Sequence, residues 1–313
     1  MKSLTIIFLL VFSVPALRAQ DKDAQSPSLQ FANEYSQFIR QFRTLKGEDA
    51  RRALIRRTSD KLNNLLKDNL ANNKTPDLLR QMKSVRLLDL QPSFVKAIDD
   101  HPTAKVRALA LLTFAEYSGL NERHQTCLAT LKFLKQQYGK LQYQQSSYAV
   151  AADEATYFFT HLANGCKAPP TVGQDVDGAP FQLSDYKGKV VMLRFWGDWC
   201  PACRAMYGYE RAVVGRYRNQ PFALIGVNSD SRDRCREAQV RSNLMWRTVW
   251  DGGDTQGPVS TVFRVNQWPT IIVIDATGVI RFRSTGLDRE KLNRILDILI
   301  KEAIKQQDSV AAH

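Results

Sequence analysis

One stretch constrains this chain more than any other. A short apolar run of strand length, residues 190–195, leads directly into Trp196-Gly197-Asp198-Trp199-Cys200-Pro201-Ala202-Cys203, and a helical pattern follows over 203–217. A run of this kind suits a strand buried on both faces. Two cysteines three apart at a helix start can close a small disulfide ring, and the helix N-terminus favours a thiolate on the first of them. Cys200 is therefore the expected nucleophile. Cys203, one turn later and less exposed, is the expected resolving thiol for a mixed disulfide. Pro201 falls early in the helix, where its missing N–H costs nothing. The competing reading of the spacing is half a zinc site, but no second CxxC or His pair supplies the remaining ligands. No metal is expected, and no cofactor beyond the redox-active Cys200–Cys203 pair.

The surroundings extend this into a fold class. Apolar runs recur at 222–227 and 270–275, an edge strand is expected at 279–283, and helical patterns occupy 232–242 and 288–305. Such alternation predicts an α/β sheet with right-handed crossovers. Before residue 166 the texture differs. Helix-period patterns cover 29–45, 50–70, 76–90, 104–117, 122–138 and 146–162, with breaks at Lys46-Gly47, Asn72-Asn73, His101-Pro102, Ser118-Gly119 and Asn164-Gly165. The stretch from His101 to Ala115 faintly resembles a helical-hairpin solenoid repeat, but no second copy occurs at a fixed period, so an irregular helical bundle is expected. The chain thus divides into residues 1–20, an all-helical domain over 21–165, and an α/β domain over 166–313.

Residues 1–20 have the layout of a secretory signal: Lys2, an apolar run over 4–14, Pro15 and a small-residue exit at Ala19. The run is shorter than the ~20 residues a spanning helix needs. The expected product is exported, periplasmic or secreted, and soluble after signal removal, in a compartment that permits disulfides. The net charge of +13 would suit a nucleic-acid binder if concentrated. It is instead spread evenly, with 21 Lys+Arg against 15 Asp+Glu over 21–165 and 21 against 16 over 166–313. With export, this argues against nucleic acid as a partner.

Three motifs agree in order and spacing over about residues 167–306. Ala168-Pro169-Pro170 precedes Leu183-Ser184-Asp185-Tyr186-Lys187-Gly188-Lys189-Val190-Val191, which precedes Phe195 to Cys203, and Trp268-Pro269-Thr270 stands directly before a strand. This part of the chain resembles the TlpA/ResA group of thioredoxin-like proteins. The resemblance implies a thioredoxin-like C-terminal domain and thiol-disulfide oxidoreductase activity, in the reducing direction, on protein thiols and disulfides. A membrane electron donor is a further implied partner. It also implies that Pro269 is cis and faces the cysteines and that Trp268 meets substrate, with Trp199 and Pro201 completing the substrate-facing surface. An X-Pro bond goes cis readily, and the backbone beside it is open to strand-like pairing with a peptide.

The chain departs from the pattern where protons are handled. Arg194 stands where thioredoxin has a buried acid, and Met206 where many ResA-like proteins carry Glu. A buried cation there would favour a thiolate and a stronger oxidant; a position on the opposite face would not. Asp198, beside Cys200, and Glu210, about 10 Å down the helix from Cys203, are candidate proton carriers, although solvated surface carboxylates are the plainer reading of both. Three further cysteines invite a Cys127–Cys166 bridge between domains and leave Cys235 exposed on a polar helix. Residues 251–258 interleave acids and glycines but lack the full spacing of a phosphate or calcium loop, so a turn is expected. Two other functions compete: a thiol peroxidase, for which residues 194–199 lack the expected Pro and Thr, and a partner-binding scaffold with a structural disulfide.

Overall fold

Helical periodicity in the first half becomes, among the described residues, the helices α1 (Pro27–Thr44), α2 (Glu48–Asp68), α3 (Thr75–Met82), α4 (Gln91–Asp100), α5 (Ala104–Leu120), α6 (His124–Tyr138) and α7 (Tyr148–His161), with a two-residue hairpin of β1 (Gln142–Tyr143) and β2 (Ser146–Ser147) before the last. The structure is a computed structural model that describes residues 26–70, 75–83, 85 and 88–311. The expected signal segment, residues 1–20, and the break at Asn72-Asn73 lie outside these residues. No helix of the described residues is long and apolar enough to cross a membrane.

Leu62, Leu66, Leu78, Phe94 and Tyr117 are completely or almost completely buried in the core of this helical unit. Helix α5 is buried nearly all round, as its unbroken apolar run over 108–112 requires. Gly119 lets α7 approach it: a Cβ there would lie 2.4 Å from the Phe159 ring. The single helix expected over 76–90 is not formed. Helix α3 stops at Met82, and α4 begins after Leu90 with Pro92 in its first turn. Tyr117 holds the intervening segment out of the helix, donating its hydroxyl to the Leu88 carbonyl at 2.6 Å and accepting from the Leu90 N–H at 3.2 Å. A tertiary hydrogen bond here outweighs a local pattern.

The chain divides into two compact units between Phe159 and Thr160, inside α7 and ahead of the boundary expected at residue 165. The second unit is a mixed seven-stranded sheet in the order β4-β3-β7-β6-β5-β8-β9, built from β3 (Val172–Asp175), β4 (Pro180–Gln182), β5 (Val190–Trp196), β6 (Phe222–Asn228), β7 (Thr248–Trp250), β8 (Thr270–Ile274) and β9 (Ile280–Thr285). Strand β5 runs parallel to β6 and antiparallel to β8, and all seven of its residues are buried. Burial of both its faces explains the apolar run, which only Arg194 interrupts. Strand β9 lies at the edge, as expected, while β3, β4 and β7 are too short to show in the pattern. The remaining helices are α8 (Pro201–Arg204), α9 (Tyr207–Arg216), α10 (Arg232–Ser242), α11 (Pro258–Val262) and α12 (Arg289–Ala311). This is the α/β thioredoxin-like arrangement, preceded by a helical region.

Candidate active site

The end of β5 aims the two cysteines. Gly197 has no side chain because the Trp199 indole fills the space: a Cβ would lie 2.1 Å from Nε1 of that ring. The next turn is fastened to the end of β6. The Asp198 N–H donates to Asp230 Oδ2 at 2.6 Å, and the Trp199 indole N–H donates to Ser229 Oγ at 3.1 Å. Cys200 then caps α8, its Sγ accepting from the Cys203 N–H at 3.2 Å, with Pro201 in the first turn. This is the geometry in which a helix N-terminus stabilises a thiolate. Cys200 keeps 5% of its surface and Cys203 none. Burial pushes the Cys203 thiol up to about 12, helped by its hydrogen bond to Cys200 and opposed by the nearby Arg194 charge.

The helix expected over 203–217 is broken, and the break has a cause. Arg194, fully buried in β5, donates from Nη2 to the Cys203 carbonyl at 2.7 Å. That carbonyl also accepts from the Met206 N–H, so α8 ends and α9 restarts at Tyr207. The restart turns Glu210 inward, where it is completely buried and ion-paired with Arg194. The plainer reading of Glu210 as a solvated carboxylate is therefore corrected, and so is the open question about Arg194. Its guanidinium lies under the active-site helix, 5.0 Å from the Trp196 ring centroid and 5.4 Å from that of Tyr207. Burial pushes the Glu210 carboxyl up to about 7, against the pull of Arg194.

Asp198 is also buried rather than solvated. Both its carboxylate oxygens accept from Arg241 Nη2 at 2.8 Å, and Oδ1 accepts from the Tyr207 hydroxyl at 3.2 Å. On the other side of the cysteines, the Phe195–Thr270 register brings the segment before β8 alongside the end of β5. The Trp268–Pro269 bond there is cis. Trp268 and Trp199 form a tilted pair with ring centroids 6.0 Å apart, and Trp199 stays 42% exposed. The structure thus gathers Asp198, Trp199, Cys200, Pro201 and Cys203 in one turn, with Trp268 against Trp199 and Glu210 beneath. Sequence reasoning missed Tyr207, Ser229, Asp230 and Arg241. The one available signal was the polar triplet Asn228-Ser229-Asp230 at the carboxyl end of a buried strand, where sites of α/β sheets gather.

Other expectations are corrected. Cys127 is a free, buried thiol, so the bridge to Cys166 is not made, and the Cys166 thiol approaches the Thr160 carbonyl at 3.4 Å. Cys235 is completely buried rather than exposed, and burial pushes it up to about 12, which makes it a poor nucleophile. Residues 251–258 form a turn whose Asp251 carboxylate accepts from the Val259 and Ser260 N–H groups at 2.7 and 2.9 Å, capping α11. Among the described residues no cluster of His, Cys, Asp and Glu could hold a metal ion.

A profile of the AhpC/TSA family matches residues 164–283. No family profile matches the N-terminal half. The thiol-disulfide oxidoreductase ResA of Geobacillus kaustophilus (strain HTA426) is 32% identical over 147 residues, covering 45% of this chain and 83% of that protein. ResA of Bacillus subtilis (strain 168) is 28% identical over 132 residues, or 42% and 72% of the two chains. Among solved structures, the thioredoxin domain of a thiol-disulfide oxidoreductase from Bacteroides vulgatus is 27% identical with a TM-score of 0.40, covering 44% of this chain and 99% of that one.

Proposed function

Because this chain belongs, through its C-terminal half, to the ResA family of thiol-disulfide oxidoreductases, we propose that it is an exported reductant of protein disulfides acting through Cys200 and Cys203. The Cys200 thiolate attacks one sulfur of a partner disulfide, forming a mixed disulfide and releasing one partner thiolate. The Cys203 thiolate then attacks Cys200 Sγ, closing the Cys200–Cys203 disulfide and releasing the second partner thiolate. Two electrons pass to the partner, whose thiolates take up two protons, and an electron donor at the membrane would restore the dithiol.

The observation that carries this reading is the asymmetry of the pair: Cys200 caps the helix and keeps 5% of its surface, whereas Cys203 is sealed and held up to about 12 by burial. Burial of the Cys203 thiol withholds thiolate stabilisation from the second sulfur of the reduced pair, which lowers the potential and favours the reducing direction. The Arg194 guanidinium that would argue for an oxidant is turned to the Cys203 carbonyl and to Glu210. We assign Glu210 a positioning role: it holds Arg194, whose guanidinium takes the Cys203 carbonyl, and carries no proton to the thiol itself. Asp198, whose oxygens are already engaged, holds the loop. Trp199, Trp268 and Pro201 form the surface offered to a peptide, with the cis Pro269 buried behind Trp268 to set its backbone, and the layout of residues 1–20 supports export.

The midpoint potential of the Cys200–Cys203 pair, measured by equilibration with glutathione mixtures and counting of labelled thiols, tests the direction. A value near thioredoxin's ~−270 mV supports the reductant, and one near ~−120 mV reverses it.

A further inference from the structure

One helical turn from Cys200, an open pocket of about 580 Å³ is lined by Arg204, Arg211, Arg241, Tyr207 and Asn243, and no acidic residue lines it. Resting on the thiol-exchange reading above, we propose that it is a carboxylate subsite that takes an acidic side chain lying close in sequence to the target cysteine of the substrate protein.

The three guanidinium groups are positioned in advance. Arg204 Nη1 donates to the Asp198 carbonyl, Arg211 Nη1 to the Ser242 carbonyl at 2.7 Å, and Arg241 Nη2 to the Asp198 carboxylate at 2.8 Å. Each is held through one nitrogen of a fork that carries five N–H donors, so donors remain to be shared with a ligand. Asp198 is the carboxylate engaged here, and it offsets one of the three charges. The pocket therefore keeps an excess of positive charge, and guanidinium pairs recognise carboxylates bidentately.

Placement links the pocket to the chemistry. The Arg204 N–H donates to the Cys200 carbonyl at 3.1 Å, so residues 200 and 204 share one helix face. Neighbours at that spacing lie about 6 Å apart, and an extended peptide advances roughly 3.3 Å per residue. An acid two or three residues from the reacting cysteine would reach the guanidinium groups while the cysteine lies on Cys200.

The test uses the reduced protein and two synthetic peptides, each carrying one cysteine as a disulfide with a chromophoric thiol. They differ only in having Glu or Gln three residues from that cysteine. The expected result at low ionic strength is a second-order rate constant about fivefold higher for the Glu peptide. The ratio should fall toward one in Arg204→Gln and Arg211→Gln. It should persist in Lys301→Gln, which removes the same charge from an exposed position on α12. Equal rates for the two peptides, or a ratio that Lys301→Gln lowers as much as Arg211→Gln does, would overturn the subsite while leaving disulfide exchange intact. Failure of both peptides to react would instead remove the exchange reading itself, and the subsite with it.

Discussion

Replacing Glu210 by Gln should change how stability depends on pH. The Glu210 carboxyl is completely buried, and burial raises it from the ordinary 4.5 to about 7 despite the Arg194 guanidinium alongside. The unfolded chain releases this proton near 4.5, whereas the folded protein keeps it until about 7. Between those values the folded state binds more protons, so the unfolding free energy falls as pH rises. The group's contribution is fully present below 4.5 and is lost as pH rises through about 7. At 1.36 kcal/mol per pH unit, the difference amounts to about 3 kcal/mol. Gln keeps the shape and cannot titrate, so the variant should lack this part of the slope, whatever constant cost it bears from leaving Arg194 without its counter-charge. Urea unfolding of both proteins at intervals from pH 4 to 8, followed by tryptophan fluorescence, measures it. The stability difference should move by about 3 kcal/mol in favour of the variant across that range. Parallel profiles would refute the reasoning, because they would mean that the Glu210 carboxyl titrates at the same pH in the folded and the unfolded chain.

Two further predictions concern the rim of the site. Trp268→Ala removes the ring that meets Trp199 at 6.0 Å, and kcat/KM for a peptide disulfide should fall by up to about tenfold, as expected for losing one aromatic contact; an unchanged value would exclude Trp268 from the substrate surface. Asp251→Ala removes the acceptor for the Val259 and Ser260 N–H groups. It should destabilise the C-terminal unit by about 1–2 kcal/mol, the range for a lost helix cap, with a lower Tm in calorimetry.

Much of the architecture was legible because it is written in local pattern. The runs that became β5, β6 and β8 are mostly apolar because those strands are buried along most of their length, and the amphipathic closing helix reads directly from its period. Strands β3, β4 and β7 span three or four residues each, too few for any period to register. Residues 88–90 depart from the expected helix for a different reason. Its residues have helical spacing, but the Tyr117 hydroxyl satisfies the Leu88 and Leu90 backbone groups from 27 to 29 residues away.

The active site divides along the same line. The sequence by itself marked Cys200 and Cys203 as the candidate redox pair, because two cysteines three apart at a strand-to-helix junction suit thiol-disulfide exchange and no second metal-ligand pair accompanies them. It also marked Trp268-Pro269 through a motif held in order with the others. Only the tertiary structure decided what surrounds the pair. Arg194 lies in a strand and Glu210 in a helix, sixteen positions apart, and they meet because Arg194 takes the Cys203 carbonyl and so interrupts the helix that would have carried Glu210 elsewhere. Burial then sets the protonation of Glu210 and Cys203, and burial is a property of the packed chain that no single stretch of residues contains.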